Sequence, residues 1–93
     1  ETPLPNLYAS TALQVYPNPS SGTIFADLSR WENETLQVYI IHSTGQLIKH
    51  FHAIAGAEPL AITLPEHLPA GLYLLEIQTA RGEKQTARFV LQP

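Results

Sequence analysis

The segment GLYLLEIQTARGEKQTARFVL, residues 71 to 91, decides the fold class of this chain. Tyr73, Leu75 and Ile77 alternate in it with more polar neighbours. A β-strand places successive side chains on opposite faces, so this spacing predicts one buried face. Gly82 then supplies the left-handed residue that a short hairpin loop needs. We therefore expect strands at 71–79 and 85–91 with a tight turn between them.

The same kind of pattern covers most of the chain. Short runs of β-branched and aromatic residues are separated by glycine, proline, serine or asparagine. A second hairpin turn is predicted at Ser43-Thr44-Gly45, followed by Gln46, and Gly22 ends the turn before another strand. Only 65–68 could hold a single helical turn. The predicted strands are 13–16, 23–28, 36–42, 47–52, 60–64, 71–79 and 85–91.

These elements define the expected architecture. Seven short strands, no cysteine and 93 residues favour one all-β domain, a seven-stranded antiparallel immunoglobulin-like β-sandwich. A small, partly open barrel is the alternative. The strand at 36–41 is apolar on both faces, which indicates a central position. We expect 13–93 to form this domain and 1–12, with two prolines and no periodicity, to be a tether to an upstream cargo domain.

Charge is unevenly distributed along the chain. The net charge is −3, which argues against a nucleic-acid partner. The last thirteen residues nevertheless hold three of the five basic residues, namely Arg81, Lys84 and Arg88. These side chains either guard an exposed sheet edge or attract a partner.

No pattern in the sequence predicts catalysis or a cofactor. A Gly-x-Ser-x-Gly elbow, a cysteine nucleophile and a phosphate-binding glycine loop are all missing from the sequence, so we expect no enzyme activity in this domain. His50 and His52 point the same way on one strand, and His42 could face them across the hairpin. This set is a weak candidate for a metal site, since a stable site needs further ligands.

The single tryptophan allows two interpretations. Trp31 could stack on a sugar, with Tyr16, Tyr39 and Phe51 extending the platform, as in a carbohydrate-binding or adhesion module. Alternatively, Trp31 closes one end of the hydrophobic core. Both interpretations stay open at this point.

The stretch VYPNPSSG, residues 15 to 22, places two prolines around an asparagine. Pro17 and Pro19 fix two φ angles and remove two N–H donors, so this stretch cannot lie in a central strand. The residue before a proline is also pushed to extended geometry. We expect an extended edge or lead-in segment, here named the opening motif, made of Tyr16, Pro17, Asn18 and Pro19.

Four stretches together carry a family likeness. They are VYPNPSSGTIFADL at 15–28, YIIHSTGQLIKHF at 39–51, LPEHLPAGLYLLEI at 64–77 and ARFVLQP at 87–93. In order and spacing they resemble the type A C-terminal sorting domain of proteins exported by the type IX (Por) secretion system of Bacteroidota. This chain has Ile41 and His42 where that family often has tyrosine and then aspartate or asparagine, and Arg88 where it usually has lysine.

The resemblance implies a sorting signal rather than an active domain. It implies recognition of the folded domain by the type IX translocon and its outer-membrane β-barrel shuttle, after transit through the periplasm. A cysteine-protease-type sortase would then cleave upstream of Tyr16, leaving the cargo at the outer-membrane surface or outside the cell. No cofactor is implied.

For the recognition surface, the last strand is the expected element. Its terminal residues are Arg88, Phe89, Val90 and Leu91, and they could add to another sheet while Arg81 and Lys84 steer the approach. Gly71 and Tyr73 lie in the Leu-Pro-x-Gly-x-Tyr motif, and we expect the Tyr73 hydroxyl at the rim of the core. These two residues serve either folding alone or direct contact with a receptor.

Overall fold

A computed structural model describes residues 13–93, so the predicted tether at 1–12 lies outside the described residues. Seven strands and one short 3-10 helix, η1 (Ser29–Trp31), follow one another along the chain. The strands are β1 (Gln14–Tyr16), β2 (Thr23–Asp27), β3 (Thr35–His42), β4 (Leu47–Ile54), β5 (Leu60–Thr63), β6 (Gly71–Thr79) and β7 (Lys84–Leu91).

The strands form two antiparallel sheets that pack face to face. One sheet has the order β1-β2-β5 and the other has the order β4-β3-β6-β7. The seven-stranded β-sandwich is therefore confirmed, and the strand that is apolar on both faces, β3, lies between β4 and β6. Within residues 13–93, no helix is long and apolar enough to cross a bilayer.

Strand alternation builds the core as the sequence predicts. Ile24, Ala26 and Leu28 are buried, whereas Phe25 between them is exposed. In β6 the same alternation buries Tyr73, Leu75 and Ile77. The β3 residues Leu36, Val38 and Ile40 complete the contact between the two sheets. Removal of these side chains from water is the main driving force for the fold.

Two local predictions differ from the structure. The stretch 65–68 forms no helix, and its centre is a hydrogen-bonded turn in which His67 has a φ of 70°. The helical turn lies instead at Ser29–Trp31. It begins where the Asp27 carboxylate accepts hydrogen bonds from the Ser29 backbone N–H and hydroxyl, at 3.1 and 2.8 Å. A carboxylate two residues before a serine is a local turn signal that strand periodicity does not reveal.

The opening motif connects the two sheets. β1 ends at Tyr16 on the edge of one sheet, and Ser20 pairs with Leu91 on the edge of the other before β2 returns to the first. The prolines therefore lie outside any central strand, as predicted. The expected extended run is wrong for 17–19, which form a bend with cis peptide bonds at Tyr16-Pro17 and Asn18-Pro19.

Candidate functional site

A seam of hydrogen bonds joins Asn18 of the opening motif and the following Ser20 to the end of β7. The Ser20 N–H donates to the Val90 carbonyl at 2.8 Å, and the Gln92 N–H donates to the Ser20 carbonyl at 2.7 Å. The Asn18 side-chain oxygen accepts from the Val90 N–H at 2.8 Å. The outer edge of the last strand is thus already bonded, at Val90 and Gln92, to the Ser20 backbone and the Asn18 side chain.

This seam gives a first testable prediction. Replacing Asn18 by alanine is expected to lower the free energy of unfolding by about 0.5–1.5 kcal/mol, because the Val90 N–H loses its acceptor. Asn18→Asp keeps an oxygen acceptor and serves as the control. Amide hydrogen exchange at Val90, followed by NMR, should become faster in Asn18→Ala and stay near the wild-type rate in Asn18→Asp. Equal exchange rates in the two variants would contradict the role of the side-chain oxygen.

The predicted recognition residues of the last strand divide between its two faces. Phe89 and Leu91 are buried, at 0% and 2% exposure, so their side chains belong to the core and offer no surface to a partner. Arg88 is exposed and Val90 is half-buried on the opposite face. Arg88 and Val90 alone of these four residues present side chains outward.

Tyr73 is a core residue whose hydroxyl makes a defined hydrogen bond. Its side chain is fully buried, and the hydroxyl donates to the Pro69 carbonyl at 2.6 Å. The ring stacks on Phe89, with centroids 5.9 Å apart. The expectation of a hydroxyl at the rim is therefore wrong. Tyr73 connects the turn before β6 to the last strand, and its side chain has no surface for a receptor. Gly71, the first residue of β6, is half-buried.

The two hairpin turns have the predicted backbone. Gly45 and Gly82 have φ values of 97° and 93°, a region that residues with a β-carbon rarely adopt. At the first turn the Gly45 N–H donates to the His42 carbonyl at 2.7 Å, and the His42 N–H donates to the Gln46 carbonyl at 2.8 Å. Gly22, with a φ of 150°, ends the turn before β2.

His42 takes over the turn contact that an aspartate or asparagine side chain makes in such turns. Its Nδ1 accepts the Thr44 N–H at 3.1 Å and lies 2.9 Å from the Thr44 hydroxyl. Because a backbone N–H can only donate, Nδ1 carries no proton in this arrangement. The ring also meets Tyr73 edge-on at 5.0 Å. The turn therefore keeps a side-chain hydrogen bond although histidine stands where the family often has aspartate or asparagine.

A second prediction isolates that hydrogen bond. Both His42→Asn and His42→Ala remove the ring contact with Tyr73, but only asparagine keeps an acceptor for the Thr44 N–H. We expect His42→Ala to be less stable than His42→Asn by about 0.5–1.5 kcal/mol in urea unfolding. Equal midpoints and slopes for the two variants would show that the Nδ1 contact contributes nothing.

The three candidate metal ligands do not converge. His50 lies opposite Tyr39 and stacks on it at 4.5 Å, with His52 beside it at 5.4 Å. His42 lies opposite Tyr73 on the inward face of the sheet, so the expectation that it faces the other two is wrong. Within residues 13–93, no three histidine or acidic side chains are grouped as metal ligands. The His50 Nε2 contacts the Gln37 side-chain oxygen at 3.1 Å instead.

Trp31 closes one end of the sandwich. It is 2% exposed, and its indole N–H donates to the Glu83 carboxylate at 3.4 Å. Arg30 lies over the ring at 5.4 Å and pairs with Glu83 at 3.5 Å. The indole cannot stack on a sugar from this position, so the carbohydrate platform proposed around it is not assembled.

The basic residues near the last strand differ in their surroundings. Arg81 pairs with Glu34 at 3.3 Å, close to the Trp31 end, so part of its charge is offset. Lys84 is exposed at the start of β7. Arg88 is exposed near the other end of β7 and makes no ion pair with any residue of 13–93. Arg88 therefore carries the uncompensated charge closest to the C-terminal end.

An exposed apolar surface lies beside Arg88, and sequence reasoning missed it. On the four-stranded sheet, the face directed away from the other sheet carries aliphatic side chains from all four strands at this end. We name this surface the outer patch. Its members are Ile41, Leu47, Leu72, Leu74 and Val90.

Comparison with known proteins identifies the family of this chain. A family model described as the secretion system C-terminal sorting domain matches residues 14–92, which covers nearly the whole chain. The chain belongs to this family. No curated protein matches the sequence.

Membership fixes the general role. A domain of this family is a non-catalytic C-terminal sorting signal of the type IX secretion system. Such a signal acts with the type IX machinery and directs export across the outer membrane, to the cell surface or the extracellular space. The sorting domain thus presents surfaces for recognition, and the geometry above distinguishes residues that can touch a partner from residues that build the fold.

Proposed function

We propose that this sorting domain is recognised in its folded state by the type IX translocon and its outer-membrane β-barrel shuttle, in a Bacteroidota host. A cysteine-protease-type sortase then removes the domain by cleaving upstream of Tyr16, and the cargo stays at the cell surface. The parent protein reaches this machinery through the periplasm. The carrying observation is that β7 is both a wall of the core and, through Arg88 and Val90, part of the exposed surface.

Recognition of a folded domain follows from this dual role. Phe89 and Leu91 pack in the core between two sheets, so the last strand cannot leave without exposing them to water. An extended, unfolded C-terminal peptide would also lose the Val90 and Ser20 contacts that hold the strand's edge. The outward side chains of β7 are therefore held in fixed positions only while the domain is folded.

The charge pattern supports steering of the approach. Lys84 and Arg88 lie on the same face of β7, and the expected role of Arg81 is reduced by its pair with Glu34. Exposed cations that lack partners raise the rate of association with an acidic surface more than they raise affinity. Lys84 and Arg88 are the residues that we assign to this step.

The test is export of a reporter. We expect a signal peptide and fluorescent reporter fused ahead of residues 1–93 to reach the surface of a type IX secreting host, with the domain removed. The control replaces 1–93 by an unrelated immunoglobulin-like domain and should stay in the periplasm. Mass spectrometry of the surface reporter should place its last residue upstream of Tyr16. In a host without the sortase, the uncleaved fusion should accumulate.

Two outcomes would contradict the proposal in different parts. Periplasmic retention of the 1–93 fusion in a competent host would overturn the sorting role. Export with an intact domain in the presence of the sortase would overturn only the cleavage step.

A further inference from the structure

We infer that the outer patch, with Arg88 at its border, is the surface by which the sorting domain docks on the outer-membrane shuttle. The matching surface of the shuttle would be an apolar ridge bordered by a carboxylate. This inference rests on the sorting function proposed above. In this arrangement the partner binds the face of the four-stranded sheet and does not add a strand to the edge of β7.

Register places the outer patch in two adjoining rows. Ile41 is directly opposite Leu47 on β4 and Leu74 on β6, and Leu74 is opposite Arg88 on β7. Leu72 is opposite Val90 in the next row. Directly opposed side chains on one face of a sheet touch each other. The five aliphatic side chains therefore form one continuous surface.

The outer patch is accessible, not an extension of the core. Leu47 is 54% exposed and Leu72 is 39% exposed, while the other three members are half-buried. Single exposed aliphatic residues are common on protein surfaces, but a contiguous group contributed by four strands is typical of a protein-binding site. The same face nearer the Trp31 end is polar, with Gln37, Gln78 and Lys84 in one row.

The edge of β7 offers less room for a partner strand. The Val90 N–H is already bonded to the Asn18 side chain, and the Val90 carbonyl and the Gln92 N–H are bonded to the Ser20 backbone. An added strand would have to stop before Val90, so Val90 can meet a partner only through its side chain. That side chain points into the outer patch.

Charge indicates which kind of surface the outer patch fits. Arg88 stands at the end of the first row and pairs with no carboxylate of residues 13–93. A second copy of this chain would bring both its own Arg88 and its own Glu76, which lies one row away on the same face. A dimer would therefore place like charges as well as opposite charges at this border. A different protein with an apolar ridge and an acidic neighbour satisfies both features, since a guanidinium beside an apolar contact prefers a carboxylate.

The experiment compares exposed aliphatic residues inside and outside the outer patch. The test variant is Leu47→Glu with Leu72→Glu. The matched control is Ile54→Glu, since Ile54 is 71% exposed on the same strand as Leu47 but at the other end of β4. Arg88→Glu and Arg88→Lys form a second pair. Thermal unfolding of each variant of the full 93-residue chain shows that it is folded before binding is measured.

Two readouts are used on the same set of variants. The first is the dissociation constant for the detergent-solubilised outer-membrane β-barrel shuttle of the type IX host. The second is surface export of the reporter fusion. We expect the double variant and Arg88→Glu to bind at least about tenfold more weakly, and Ile54→Glu and Arg88→Lys to change the constant by less than about threefold. Export should fall in the same order.

The outcomes separate this inference from the sorting function. If the wild-type fusion is exported and the double variant binds and is exported equally well, the outer patch inference is wrong and the sorting function stands. If the wild-type fusion is not exported, the sorting function fails and this inference fails with it. A wild-type dimer in analytical ultracentrifugation that Leu72→Glu converts to a monomer would show that a second copy covers the outer patch, which also overturns it.

Discussion

A chain that ends at Ala87 is expected to be unfolded at 25 °C. The truncation removes Phe89 and Leu91, which are 0% and 2% exposed, and opens the seam with Ser20. Loss of one buried phenylalanine costs about 3–5 kcal/mol and loss of one buried leucine about 2–5 kcal/mol. The sum is comparable to the whole stability of a domain of this size, about 5–15 kcal/mol.

Circular dichroism and urea unfolding of the purified chains check this prediction. A chain that ends at Gln92 keeps every seam hydrogen bond and both core residues, so it should unfold like the full chain. A cooperative unfolding transition in the chain that ends at Ala87 would contradict the structural role of the last strand. The same result bears on secretion, because failure of a truncated fusion would report loss of the fold and not loss of a recognised surface.

The second large effect is expected at Tyr73. Tyr73→Ala removes a fully buried ring that packs on Phe89 and should lower the free energy of unfolding by about 3–5 kcal/mol. Tyr73→Phe keeps the ring but removes the donor that lies 2.6 Å from the carbonyl of the exposed Pro69, which should cost about 0.5–1.5 kcal/mol. Urea unfolding monitored by tryptophan fluorescence measures both.

Tyr16→Phe is the matched control for the hydroxyl. Tyr16 is 42% exposed, so loss of its hydroxyl should change stability by less than about 0.5 kcal/mol. If Tyr73→Phe were as stable as Tyr16→Phe, the hydrogen bond to Pro69 would contribute nothing. If Tyr73→Phe were much less stable but its folded form were exported normally, Tyr73 would act through folding alone.

Local patterns in the sequence were sufficient for the strands and their buried faces. Alternation in β2 and β6 identifies which side chains are buried, because that information is contained within each strand. Glycine marked both hairpin turns for a similar reason, since a positive φ is a property of one residue. Strand ends differ from the prediction by a residue or two for six strands: β3, β4 and β7 are longer than predicted, and β1, β2 and β5 are shorter.

Contacts between distant strands were not predictable in the same way. The outer patch exists because β3, β4, β6 and β7 are neighbours in a particular register. The sequence of a single strand determines neither the strand order nor the register. Sequence reasoning singled out Val90 but had no means of placing Leu47 and Leu72 on the same surface of the sheet. The face of His42 was misjudged for a different reason: β3 is apolar on both faces, so its sequence does not show that His42 shares the inward face of Val38 and Ile40.

The buried hydroxyl of Tyr73 illustrates a different limit. Tyrosine in a motif after a turn suggests a ring in the core and a hydroxyl at its rim, and only the path of the turn brings the Pro69 carbonyl to the hydroxyl. The seam at Asn18 is similar, because its partner Val90 is far away in the chain. Polar contacts of this kind depend on the assembled fold and leave no periodic signal.

The two ends of the sandwich are free for different proteins at the same time. The chain enters β1 at Gln14, which is opposite Asp27 close to η1, whereas the outer patch lies at the end marked by Gly71 and Leu91. A protein bound at one end leaves the other uncovered. Under the proposed function, capture by the shuttle and cleavage by the sortase could therefore overlap in time, and a complex of all three proteins is the intermediate to search for.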